Sequence, residues 1–214
     1  RIPKLTDAYD SWQVSVIYNW IKGLRLKIVL ISPPEIHYDE IETLSELFIN
    51  GLEVFHLRKP HFSLKQTEAF IEKIPDRFHE HIILHYHHSL LEKYGLKGIH
   101  FTESGRKSGY EQIIQTRKDN PRVHISSSFH NIDDIEKEGN VFDYLFLSPV
   151  FDSISKKNYK AGFDKKDLET FLTLTEIKVI ALGGVDAKKI KLVRDLGFFG
   201  AAVLGAIWYD TNPV

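Results

Sequence analysis

From residue 26 onward, short β-branched or leucine-rich runs alternate with amphipathic stretches, the pattern expected where helices cover a parallel sheet. The runs that read as strands are Lys27 to Ser32, Glu53 to Arg58, His81 to His85, Gly98 to Phe101, Arg122 to Ser126, Phe142 to Ser148, Lys178 to Leu182 and Ala201 to Leu204. Between them Ile41, Leu44 and Phe48 share one helical face, and Asn50-Gly51 supplies a left-handed stop. Ser63 with Gln66 forms a capping-box pattern ahead of Phe70, Ile71 and Ile74, and Pro75 ends that helix. Asn131 with Asp134 and Asp164 with Asp167 pair a cap with an acid in the first turn. Asp186 precedes a helix that carries Ile190 and Val193 and stops at Gly197, whereas Glu103 to Asn120 is helical with weak boundaries.

Eight strands in unbroken β/α order predict an α/β fold, a single-domain (β/α)8 TIM barrel over residues 26–208. A flavodoxin-like open sheet is the alternative. No G-x-G-x-x-G follows the first strand, so a dinucleotide fold has little support. Residues 1–25 read as an atypical N-terminal extension. Its Trp12, Val16 and Trp20 recur at four-residue spacing over Ser11 to Lys22, which predicts a helix packed on the barrel. The last strand is followed only by Gly205 to Val214, with Pro213, so the eighth covering helix is expected to be missing and 209–214 to form a short tail.

Composition narrows the function. Hydrophobic residues make up 43% and charged residues 27% of the 214, which excludes a disordered tail, and no apolar run reaches the length that spans a bilayer. With a formal net charge of -1, a small molecule is a better expected partner than nucleic acid or membrane. Cysteine is absent, which removes disulfides, thiolate nucleophiles and thiolate metal sites. Methionine is absent even at residue 1, so the sequence is expected to begin inside a longer or altered polypeptide. No secretory signal is visible, and the expected location is cytoplasmic.

In a barrel, residues just beyond the carboxyl ends of the strands converge on one mouth. Strand two ends His56-Leu57-Arg58-Lys59, with His56 and Arg58 alternating to the same side and Lys59 to the other. Arg58 offers directed donors suited to phosphate, a salt bridge between loops being its other use. Strand seven runs into Gly183-Gly184 and strand eight into Gly205, where small residues let backbone amides approach an anion, although ordinary tight turns use glycine too. After strand five come Ser128, which can bind an anion, and His130, an imidazole suited to moving protons near neutrality. Ser155 and Lys156 belong to a long polar loop, Asp152 through Gly162, placed to fold over a ligand. Histidines crowd at 79, 81, 85, 87, 88 and 100, but without H-E-x-x-H or a compact carboxylate partner no metal is assigned to them.

As a set, His56-Leu57-Arg58-Lys59, Gly98-Ile99-His100, Ser128-Phe129-His130, Asp143-Tyr144 through Ser148-Pro149-Val150-Phe151, Ser155-Lys156 and Ala181-Leu182-Gly183-Gly184-Val185 resemble the thiamine phosphate synthase/TenI superfamily, over residues 26–208. The resemblance implies one of two chemistries. A synthase joins thiazole phosphate to hydroxymethylpyrimidine pyrophosphate with Mg2+ as cofactor, and a TenI-like tautomerase isomerises the thiazole by histidine proton transfer with no cofactor. It would put Arg58 on pyrophosphate, Ser155 and Lys156 in a phosphate loop, the Gly183-Gly184 loop on the thiazole phosphate and His130 in proton transfer. His56, Lys59, His85 and Glu103 are auxiliary candidates.

The family's metal aspartates align near Tyr86 and Gly105, its strand-two amide aligns with His56, and the lysine of that strand is displaced by one to Lys59. Magnesium normally needs carboxylate and water oxygens. The expectation is therefore a tautomerase, with the synthase as runner-up, a catalytically degenerate thiazole phosphate binder as the non-enzyme reading, and a homo-oligomer as an open prospect.

Overall fold

The structure is a computed structural model that describes Trp20, residues 26–151 and residues 162–209. The predicted N-terminal helix and the Ser155-Lys156 loop fall outside the described residues, except for Trp20, which is helical and buried in the core.

Eight parallel strands close a barrel in sequential order, β1 Lys27–Ile31, β2 Phe55–Leu57, β3 Ile82–Leu84, β4 Gly98–Phe101, β5 His124–Phe129, β6 Tyr144–Leu147, β7 Val179–Ala181 and β8 Gly200–Val203. The seam between β1 and β8 registers Lys27 with Gly200 through Leu30 with Val203. The connections carry α1 Glu40–Ile49, α2 Leu64–Ile71, α3 Leu90–Tyr94, α4 Glu103–Asp119, α5 Ile132–Glu138, α6 Lys165–Leu174 and α7 Ile190–Asp195.

Local chemistry sets these elements. The Ser63 capping box with Gln66 is formed in both directions, Asn131 accepts from the Asp134 amide, and Asp164 accepts from the Lys166 and Asp167 amides. Gly51 closes α1 with φ 99, a conformation that penalises any Cβ. Gly98 is required for a different reason: a Cβ there would lie 2.0 Å from the His124 carbonyl oxygen.

Most strands are trimmed by one or two residues at their ends relative to the sequence pattern, and two boundaries depart from it for a physical reason. Strand five runs on to Phe129, because Ser126 and Ser127 face buried surroundings where their hydroxyls find acceptors, so three serines do not end the strand. After β8 the chain makes a helical turn, α8 Gly205–Trp208, whose Trp208 indole donates to the Ile31 carbonyl at 2.8 Å.

The alternation sorts two cores. Val29, Ile31, Val54, Ile83, Tyr144, Phe146, Ile180 and Ala202 fill the barrel, while a larger cluster including Phe55, Leu57, Leu145 and Leu147 packs under the helices. No helix of the described residues is long and apolar enough to cross a membrane.

Candidate active site at the barrel mouth

The mouth is assembled from the carboxyl ends of the strands. Arg58 follows β2 and is half-buried, its amide donating to the Ser32 hydroxyl at 2.7 Å. Its charge reaches inward, helping to hold His85 and His100 neutral. Lys59, on the opposite side as alternation predicts, is withdrawn from the mouth. Its Nζ donates to Glu40 Oε2 at 2.6 Å and to the Glu35 carbonyl at 2.8 Å, with both side chains 1% exposed. Burial draws the Lys59 ammonium down and the Glu40 carboxyl up from their usual ranges despite the pairing. Lys59 is thus held in a buried ion pair with Glu40.

His130 lies just past β5, exposed at its ring. Its Nδ1 is 2.7 Å from the Ser148 carbonyl, which can only accept, so Nδ1 carries the proton and Nε2 the lone pair when the ring is neutral. Nε2 faces Glu103 Oε2 at 3.6 Å. Glu103 also binds Lys107 at 2.8 Å, one turn along α4. Glu103 thus stands at the mouth between Lys107 and His130.

Gly183 and Gly184 take successive left-handed conformations, φ 92 and 66. A Cβ on Gly183 would press on Pro149 at 3.0 Å, and the Gly183 carbonyl accepts from the Phe151 amide, so the β6 and β7 loops are zipped together. Lys189 Nζ ties the Gly184 carbonyl at 2.8 Å to Asp186 at 3.0 Å. Gly205 opens α8 after β8, next along the rim.

Beneath the rim is a polar layer that sequence reading found only piecemeal. His56, His85 and His100 rise from β2, β3 and β4. His56 Nδ1 and His85 Nε2 are 2.9 Å apart, and His56 Nε2 meets the Tyr144 hydroxyl at 2.5 Å. His100 lies between the hydroxyls of Ser126 and Ser128, at 2.9 Å each, so Ser128 links the layer to the mouth. The His85 and His100 rings stack with centroids 4.1 Å apart. Burial lowers all three imidazoles far below their ordinary range, His100 to about 3, and repulsion from neighbouring imidazoles, joined by Arg58 at His85 and His100, adds to it. Tyr144 was invisible as a site residue. Its cues were its place in the Asp143-Tyr144 motif and an aromatic hydroxyl at an inward strand position, which ordinary core tyrosines share.

Magnesium would need clustered oxygens. Among the described residues Tyr86 and Gly105 supply no carboxylate, Glu103 is paired with Lys107, and the one grouping of potential metal ligands is the three histidines. Among the described residues no cluster of carboxylates fits a magnesium shell.

A family profile described as "Thiamine monophosphate synthase" matches residues 28–207. A thiamine-phosphate synthase of Limosilactobacillus reuteri is 22% identical over 84% of this chain and 87% of its own length. One from Latilactobacillus sakei is 35% identical over 33% of this chain, and the match spans only 31% of that relative. Among solved structures, a thiamine phosphate pyrophosphorylase from Bacteroides thetaiotaomicron superposes with TM-score 0.70 at 28% identity, covering 87% of this chain and 90% of that one. A Pyrococcus furiosus protein of the same name, 18% identical with TM-score 0.69 over 88% of this chain and 90% of that one, shares the fold.

Proposed function

The chain belongs to the thiamine monophosphate synthase/TenI family, and from that premise we propose that it is a thiamine-biosynthesis enzyme that binds a thiazole phosphate at the barrel mouth and joins it to hydroxymethylpyrimidine pyrophosphate. The observation that carries this reading is the match over nearly the whole barrel to proteins named for that reaction, at 28% identity to the Bacteroides structure. Their names favour the synthase over the isomerisation expected from the departures in the sequence.

In this reaction the thiazole nitrogen forms a bond to the methylene carbon of the pyrimidine, the carbon–oxygen bond to pyrophosphate breaks, and pyrophosphate leaves with the electron pair. Arg58 meets the developing charge with paired donors. The left-handed Gly183-Gly184 turn, braced through Lys189, receives the thiazole phosphate. Ser128 orients the ligand from below and is itself oriented by His100. With no magnesium shell among the described residues, these groups are the ones assigned to charge stabilisation. The test is pyrophosphate release: it should need both substrates together. Silence with both present would overturn the synthase reading.

A second reading, thiazole tautomerisation, is favoured by one observation, the His130 arrangement. Nδ1–H donated to the Ser148 carbonyl leaves the Nε2 lone pair free to take a proton, and the Glu103 carboxylate 3.6 Å away would stabilise the protonated ring until it returns that proton elsewhere on the substrate. Isomerisation of thiazole phosphate without pyrophosphate production, followed by NMR on the same preparation, would move the assignment there. Tight thiazole phosphate binding with both assays silent would mark a binding protein.

A further inference from the structure

The three interior histidines are more than a polar floor. One nitrogen from each lies within 4.8 Å of the other two, all three residues are buried, and they are contributed by adjacent strand ends. Of their six ring nitrogens, five meet a partner, while His85 Nδ1 is buried with none. Either direction of the protons along the Tyr144–His56–His85 chain leaves that atom orphaned. A buried polar atom without a partner costs about 1–3 kcal/mol, and no carboxylate is in the grouping to charge the rings.

We propose that His56, His85 and His100 form a binding site for a zinc-class divalent cation inside the barrel. The chemistry fits that class. Imidazole suits zinc and its neighbours and suits magnesium poorly. Ligating rings must be neutral, and burial keeps these neutral. A ligating histidine normally holds its other nitrogen on an oxygen. His56 has the Tyr144 hydroxyl for that purpose and His100 has Ser126 or Ser128, so each can turn its remaining nitrogen to the metal without losing its orientation. Three protein ligands leave the fourth tetrahedral position to water. The site is independent of which thiamine reaction the mouth performs.

The experiment uses the whole protein, stripped with chelator and titrated calorimetrically with Zn2+, beside absorption spectra with Co2+. Wild type should bind about one equivalent of Zn2+, and Co2+ should give the intense visible bands of a tetrahedral site. His85→Gln should weaken binding by about 100-fold or more. His61→Gln, at an exposed position outside the layer, should change nothing. Circular dichroism checks that each variant folds. Folded wild-type protein that takes up no zinc and gives no such Co2+ bands would overturn the proposal without reference to any variant, as would unchanged binding in folded His85→Gln.

Discussion

At the scale of single residues, His130 and Arg58 divide the work at the mouth. His130→Asn should leave phosphate-dependent binding nearly intact but lower thiazole isomerisation by about 100-fold or more, because an amide cannot relay a proton. NMR of the isomerisation with saturating ligand checks this. If the synthase alone is active, the same variant should keep most of its pyrophosphate release. Arg58→Ala should weaken phosphorylated ligands more than their dephosphorylated forms in calorimetric titrations, and equal losses would remove it from the anion site. The buried Lys59–Glu40 pair makes a stability prediction instead. Lys59→Met alone should cost about 3–5 kcal/mol in denaturant unfolding because it strands a carboxylate, and Glu40→Gln added to it should recover much of the loss. Alternation along β2 was enough to place His56 and Leu57 on opposite sides and to turn Lys59 inward beneath the helices. The convergence of His56, His85 and His100 was not legible, since strand pairing brings together residues up to 44 positions apart, and nothing in a linear sequence fixes the register of those pairs.

At the scale of elements, the caps were the most legible features because each is a local bargain between a side chain and an amide two or three residues on. Strand order followed from the repeated alternation. Boundaries were harder: serine reads as a strand breaker until a neighbouring carbonyl or imidazole takes its hydroxyl, as happens along β5. The β4–β5 pair holds the most demanding glycine. Gly98→Ala should destabilise the protein by about 3 kcal/mol, since its methyl would drive into the backbone of His124, and the two strands can separate only by disturbing the His100–Ser126 contact. Denaturant unfolding measures the loss. A near-neutral substitution would show that the strands approach less closely than they do here.

At the scale of the whole molecule, the buried histidines tie stability to pH. They are neutral in the fold, His100 down to about 3, whereas in the unfolded chain they take up protons below about pH 6.5. The unfolded state therefore binds more protons as the pH falls. Stability is fully present above about 6.5 and drains below it, by about 1.4 kcal/mol per pH unit for each histidine. In chelator, the melting temperature should drop steeply from pH 6.5 to 5, before most carboxylates titrate, and His100→Gln should flatten that slope. A wild-type profile level across this range would contradict the burial that the barrel interior imposes. The seam between β1 and β8 carries a consequence of another kind. It joins strands at opposite ends of the barrel sequence, and the Trp208 indole bonds the Ile31 carbonyl across 177 residues. On the ribosome β1 emerges before the other seven barrel strands, yet its second neighbour does not exist until the eighth is made. Through most of synthesis the growing sheet has two open edges whose amides and carbonyls can pair with any other extended chain. Closure is a single late event with a high entropic threshold, so a nascent chain stalled before Gly200 should be a client for chaperones rather than a smaller stable barrel.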